Sequence, residues 1–235
     1  MTTISDNLSH IHQELTAYSQ KYQRSSDEIT LLCVSKTKPI ESILEAYNAG
    51  ERHFGESYAH EADDKISALK EQGYNDIIWH FIGPVQSNKT KIIASYFDIV
   101  ESVDRIKIAE RLNDQRPDDL PALQVLLQVN ISDEDQKSGC SFEELPALIE
   151  FIQQKRRLKL RGLMGIAKET NDKAEIERSF ARLNEEFQKY HAQLADFDML
   201  SIGMTHDMEE AVKCGSTEVR IGTAIFGPRE YKKKE

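Results

Sequence analysis

The stretch from Leu31 to Pro39, LLCVSKTKP, puts a lysine where chemistry is possible. A short apolar run ends at Lys36, a second lysine follows at Lys38, and Pro39 suits the first turn of a helix. The pattern predicts a β-strand that carries Lys36 to its carboxyl end. An ammonium in apolar company is costly to desolvate, so its pKa is expected to fall and a nucleophilic neutral amine to become available. A Schiff-base lysine needs that amine. Two later segments offer a partner chemistry. Residues 200–207 read LSIGMTHD and residues 219–224 read VRIGTA. Each combines a hydroxyl with a glycine that lets backbone N–H groups approach a phosphate. Taken singly, each is also an ordinary turn.

These residues can meet only if the chain brings them to one place. Helical spacing covers about Ser5 to Arg24, with Leu8, Ile11, Leu15 and Tyr18 on one stripe. Short apolar or β-branched runs then alternate with amphipathic segments. The runs are Ile29–Ser35, Arg52–Gly55, Ile77–Gly83, Asp98–Val103, Leu123–Asn130, Leu158–Ile166, Met199–Met204 and Glu218–Phe226. Helices are expected over Ile40–Ala49, Ala59–Glu71, Ser87–Tyr96, Arg105–Asp114, Phe142–Lys155, Lys173–Leu194 and Met208–Cys214. Gly50, Gly73 and Gly215 fall at helix C-cap positions. The second run, with Gly55 and several polar residues, is the least strand-like.

Eight strands alternating with seven helices imply parallel pairing and an α/β fold, a closed (β/α)8 TIM-type barrel, with the leading helix packing where an eighth outer helix would stand. No GxGxxG follows the first strand, so a dinucleotide-binding fold has no support. In such a barrel the chemistry sits at the carboxyl ends of the strands, with phosphate held after strands seven and eight. Lys36 and the two glycine-containing segments all map there.

Composition narrows the partners. A chain of 235 residues, 39% hydrophobic and without a linker or low-complexity tract, is expected to form one domain over residues 1–235, with 1–24 as the leading helix. A formal charge of -10 argues against nucleic acid or an anionic membrane as the main partner. The amino terminus shows no signal-peptide pattern and no apolar run reaches membrane-spanning length, so a cytoplasmic location is expected. Cys33, Cys140 and Cys214 are isolated and read as reduced thiols. The seven histidines show no ligand spacing, so no metal is expected. No apolar helix face is left over, which makes a monomer the expectation.

An aldehyde-reactive lysine opposite a phosphate cradle is the minimal equipment for pyridoxal 5'-phosphate (PLP). Arg220, placed near the pyridine nitrogen, would leave it unprotonated and make the ring a weaker electron sink than one paired with a carboxylate. In combination, VSKTKP at 34–39, HFGE at 53–56, WHFIGPVQSNK at 79–89, RGLM at 161–164, LSIGM at 200–204 and GSTEVRIGTAIFG at 215–227 are specific. On them the sequence resembles the pyridoxal phosphate homeostasis protein family, single-domain proteins similar to the barrel domain of alanine racemase.

The resemblance implies that Lys36 carries PLP as a Schiff base, that Ser201, Gly222 and Thr223 contact its phosphate, and that Arg220 faces the pyridine nitrogen. Ser57, His80, Gly203, Met204 and Ile221 complete the expected cofactor-binding set. Ser57 stands where the family usually has Asn, Gly165 and Ala167 where Ala and Pro are usual, and Thr205 where Ser is common, which leaves finer pocket contacts open.

The resemblance also implies a role in intracellular PLP and amino-acid homeostasis without established turnover. Racemisation needs a base on each face of the substrate α-carbon, and Lys36 supplies one. His80, His206 and Tyr58 are the chain's candidates for the other, each with a plainer explanation as a strand-end or helix-start residue. The expected reading is a binding and delivery protein with apo PLP-dependent enzymes as transient acceptors. Lys137, in the segment after the fifth strand, is a candidate second amine for that transfer. A PLP-dependent amino-acid racemase and a lysine-dependent aldolase are the alternatives.

Overall fold

The computed structural model of the chain describes residues 3–132, 134 and 138–228. Lys137 and the Tyr231–Lys234 tail lie outside the described residues. Helix α1 (Ile4–Lys21) opens the chain with a capping box, in which the Thr3 hydroxyl accepts from the Asp6 N–H and the Asp6 carboxylate from the Thr3 N–H. Its stripe of Leu8, Ile11 and Leu15 is buried, as the spacing predicted.

Strands β1 (Thr30–Val34), β2 (His53–Glu56), β3 (Ile78–Phe81), β4 (Ile99–Val103), β5 (Leu123–Val129), β6 (Leu158–Gly165), β7 (Met199–Ser201) and β8 (Glu218–Ile221) pair in parallel, each with the next. β8 returns to β1, with Leu32 opposite Arg220, and closes the barrel. Helices α2 (Ile40–Asn48), α3 (Ala59–Glu71), α4 (Thr90–Tyr96), α5 (Ile106–Gln115), α6 (Leu145–Gln153), α7 (Lys173–His191) and α8 (Met208–Lys213) fill the connections. A single helical turn, α9 (Thr223–Phe226), follows β8. Helix α1 packs against α2, α8 and α9, occupying the place of an eighth outer helix. The Asn7 side chain donates to the Ile225 carbonyl at 2.8 Å and fixes that docking.

All the strands but β2 are shorter than their sequence runs, and the shortening of the seventh and eighth bears on the site. The seventh stops at Ser201 rather than Met204, because Gly203 adopts φ +99°, a left-handed conformation that ends extension. A Cβ at Gly203 would also lie 2.4 Å from that of Ala211, so the turn is closed to larger residues. The eighth stops at Ile221, and Gly222 caps the turn that was expected to be strand. The least strand-like run, β2, is a strand paired on both sides.

Alternation along the strands divides the interior in two. Outward-facing residues such as Cys33, Phe54, Trp79, Val125, Leu163 and Ile221 join the helices in the main hydrophobic core. Inward-facing positions carry a small apolar cluster of Ile99, Leu126 and Met164, together with buried His80, Glu101, Ser201, Glu218 and Arg220. The middle of the barrel is therefore polar. Among the described residues no helix is long and apolar enough to cross a membrane.

Candidate functional site

A cavity of about 550 Å³ opens at the carboxyl ends of the strands. Its wall brings together Lys36 after β1, Met204 after β7, Arg220 on β8, and Gly222 and Thr223 at the start of α9. These are five of the ten residues singled out from sequence. Val34, Ile82 and Ile166 give the wall its apolar part.

The segment that presents Lys36 is held from below. The Ser35 hydroxyl donates to Glu56 Oε1 at 2.7 Å, and the Thr37 N–H donates to Glu61 Oε1 at 2.6 Å. Lys65, buried under both, donates to the Ser35 carbonyl, Glu56 Oε1 and Glu61 Oε1 at 3.1, 2.9 and 2.6 Å. Thr37 has φ +64°, a conformation that costs a β-branched residue and persists only where its surroundings enforce it. The bond to Glu61 is such an enforcement. Burial raises the Glu56 pKa against the opposing pull of Lys65 and Ser35. Lys38 also lines the cavity, and its ammonium donates to the Pro228 carbonyl at 2.7 Å.

Arg220 is buried apart from the face it turns to the cavity. Its Nη1 donates to the Ser201 carbonyl and hydroxyl at 2.8 and 2.7 Å, and its Nη2 to the Gly165 carbonyl at 2.9 Å. Ser201 in turn donates to Glu101 Oε2 at 2.6 Å, and His80 Nδ1 lies 2.7 Å from Glu101 Oε1. Burial opposes ionisation of Glu101, but His80, Arg220 and Ser201 outweigh it and hold its pKa below the ordinary value. Burial likewise opposes charge on His80, and Glu218 and Glu101 overcome it, raising the imidazole pKa. Glu218 is pushed up to about 8 by burial and by Glu101. His53 drops to about 4 through burial and the neighbouring His80.

Several expected site residues stand elsewhere. Ser201 is fully buried with its hydroxyl engaged by Arg220 and Glu101, and it does not line the cavity. His80 is equally enclosed, inside the barrel between Glu101 and His53. The Ile221 side chain faces the helices, since Arg220 on the same strand points inward. Gly203 shapes the loop from behind, accepting the Arg220 N–H at 2.9 Å. Ser57 is half-buried and does not line the cavity, its backbone packed where a side chain at Gly83 would otherwise sit. Tyr58 is exposed and does not line the cavity.

The wall also includes Thr205 and His206, on the loop that Gly203 turns. Thr205 was noted in the sequence only as a variant of Ser, although its place four residues after Ser201 made it an equal candidate for a phosphate hydroxyl. The Glu101–His80–Glu218 set was missed too. Its signal was a glutamate inside a short, mostly apolar strand, IVESV at 99–103. His53, His80 and Glu218 bring potential metal-ligating atoms within 4.8 Å of one another, but both nitrogens of His80 already have partners, His53 and Glu101.

Comparison with known proteins places this cavity in context. Residues 7–230 match the family described as alanine racemase, N-terminal domain. The chain is 47% identical over 237 residues to the pyridoxal phosphate homeostasis protein of Escherichia coli (strain K12), covering 100% of both. It is 49% identical over 230 residues to that of Haemophilus influenzae, covering 97% of each. Among solved structures, PipY of Synechococcus elongatus PCC7942 with PLP bound superposes with a TM-score of 0.80 at 32% identity, over 96% of this chain and 100% of that one. Alanine racemase from Corynebacterium glutamicum shares the fold, with a TM-score of 0.64 at 14% identity, over 98% of this chain and 63% of that one.

Proposed function

Because the chain belongs to the pyridoxal phosphate homeostasis protein family, built on the alanine racemase N-terminal domain, we propose that it binds PLP in the cavity at the carboxyl ends of its strands. The observation that carries this reading is the meeting of Lys36, Arg220, Gly222 and Thr223 on one wall. At about 550 Å³ the cavity falls within the range of roughly 300–1,000 Å³ usual for small-molecule sites.

Lys36 is the amine that would hold the cofactor as a Schiff base, on a segment that Glu56, Glu61 and Lys65 keep in place. Thr205, Gly222 and Thr223 would receive the phosphate, with the first N–H groups of α9, which the helix itself leaves unpaired. Arg220 would face the ring nitrogen with the part of its guanidinium not committed to Ser201 and Gly165. When bound, PLP supplies an aldehyde and a conjugated ring able to accept electrons. A guanidinium beside the ring nitrogen cannot protonate it, which restrains that capacity.

The function this supports is custody of PLP in a cytoplasmic, monomeric, single-domain protein, which binds the cofactor and delivers it to apo-enzymes without turnover. The second reading is an amino-acid racemase, favoured by His206 on the cavity wall as a group opposite Lys36. Absorbance of the purified, PLP-loaded protein before and after borohydride tests the binding reading. A visible band that borohydride removes, and that Lys36→Ala lacks, is the expected result; a parent protein without a band would refute it. Exchange of substrate α-protons with solvent would decide for the racemase.

A further inference from the structure

A line of hydrogen-bonded side chains runs through the barrel from one mouth to the other. His53 on β2 sits at the amino-terminal mouth, in a cavity of about 290 Å³ that it shares with Thr30, Gln124, Arg161 and Thr217. His53 Nδ1 meets His80 Nε2 at 2.9 Å, and His80 Nδ1 meets Glu101 Oε1 at 2.7 Å. Glu101 Oε2 accepts from Ser201 at 2.6 Å, and the Ser201 hydroxyl accepts from Arg220 at 2.7 Å. Five strands contribute one member each, and every member except His53 is buried.

A buried ionic chain is seldom a gain in stability over apolar packing, so its presence calls for another role. Arg220 shows where that role falls. Its three hydrogen bonds go to Ser201 and Gly165, neither of which lines the cofactor cavity, leaving the rest of the guanidinium to the ligand. A buried guanidinium needs a counter-charge, and one bonded directly to its edge would occupy the donors a ligand requires. Here the carboxylate is set one serine away.

We propose that Glu101 and His80 are positioning residues for Arg220, holding its guanidinium on the cavity wall through Ser201 and supplying the negative charge that balances it. What that guanidinium then does for PLP rests on the cofactor reading above; its placement does not. The other titratable groups around the line are Glu218 on β8, with a carboxylate oxygen 3.6 Å from His80 Nδ1, Asp98 just before β4, and Asp207 after β7. Burial raises the Glu218 and Asp207 pKa values, whereas Glu101, against its burial, is held below the ordinary value by His80, Arg220 and Ser201, and it is the carboxylate joined to Arg220 through the Ser201 hydroxyl.

Two measurements test this. In the cofactor-free, nitrogen-15-labelled chain, the Arg220 guanidinium should give a slowly exchanging resonance that broadens or moves in both Glu101→Gln and Ser201→Ala. In the loaded chain, each variant should weaken PLP binding about tenfold and shift the pH profile of the bound band. The double variant should be no worse than either single one, as members of one network are not additive. A part in stability alone would lower the melting temperature but leave the Arg220 resonance and the pH profile in place, and that result overturns the proposal. If Glu101→Gln fails to fold, Ser201→Ala, the milder cut in the same line, decides. A moved resonance in a chain whose parent never binds PLP would keep the positioning role and refute the cofactor reading. An unmoved one in a chain that binds PLP would do the reverse.

Discussion

Lys65 is the residue whose surroundings say most about how the site is held. Its side chain is only 8% exposed, and it is the positive centre between Glu56, Glu61 and the Ser35 carbonyl, directly beneath the segment that presents Lys36. Removing one member of a buried ion pair leaves the other charge without compensation, at a cost of about 3–5 kcal/mol. Lys65→Met should lose about that much stability in urea unfolding. Adding Glu56→Leu should recover part of it, because the isolated carboxylate is then gone as well. The strained Thr37 should respond at the same scale, and Lys65→Met is expected to weaken PLP binding more than its loss of stability explains.

Among the elements, α1 carries a load its position in the sequence hides. It precedes every strand, yet it packs on α8, α9 and α2 and completes the outer ring. Leu8, Ile11 and Leu15 are its buried face, whereas Gln13 is exposed. Leu15→Ala should cost about 2–5 kcal/mol in chemical unfolding, as deletion of a buried leucine does, while Gln13→Ala should stay within roughly 0.5 kcal/mol of the parent. Equal effects from the two would mean that α1 is not docked as described. The loops after β7 and β8 show the opposite case, where loss of strand creates the site. Gly203 and Gly222 stop the two strands early, so that Thr205 and Thr223 reach the cavity wall.

For the molecule as a whole, the polar barrel interior makes stability depend on pH from two sides. Glu218 titrates at about 8 in the folded chain against an ordinary 4.5, so the folded state holds its proton more tightly. That contribution is full below about 4.5 and is lost as pH rises through about 8. His80, also raised, adds loss in the same direction. His53 titrates at about 4 against an ordinary 6.5, so its contribution is present above 6.5 and lost as pH falls through 4. Between about pH 6.5 and 4.5 the two contributions offset one another, so melting temperature should be nearly level there and fall as pH rises from about 6.5 through 8. Glu218→Gln should reduce the alkaline fall and uncover a loss below pH 6.5, His53→Gln should let melting temperature climb as pH drops toward 4.5, and a parent curve without the alkaline fall would contradict the Glu218 assignment.

The sequence by itself determined the closed barrel, the leading helix, and the meeting of Lys36, Arg220, Gly222 and Thr223 at one mouth. Strand and helix periodicity, turn residues and the rule that barrel chemistry lies at strand ends are local or topological, and a single sequence carries them. Tertiary structure alone decided which side each strand residue faces once the barrel closed. It turned Ser201 and His80 inward to Glu101, sent Ile221 outward to the helices, and put Thr205 rather than Ser201 on the wall. It also joined His53, His80, Glu101, Ser201 and Arg220 into one line. The longest of those contacts, from Glu101 to Ser201, joins residues 100 positions apart, and only the closure of the sheet sets them side by side.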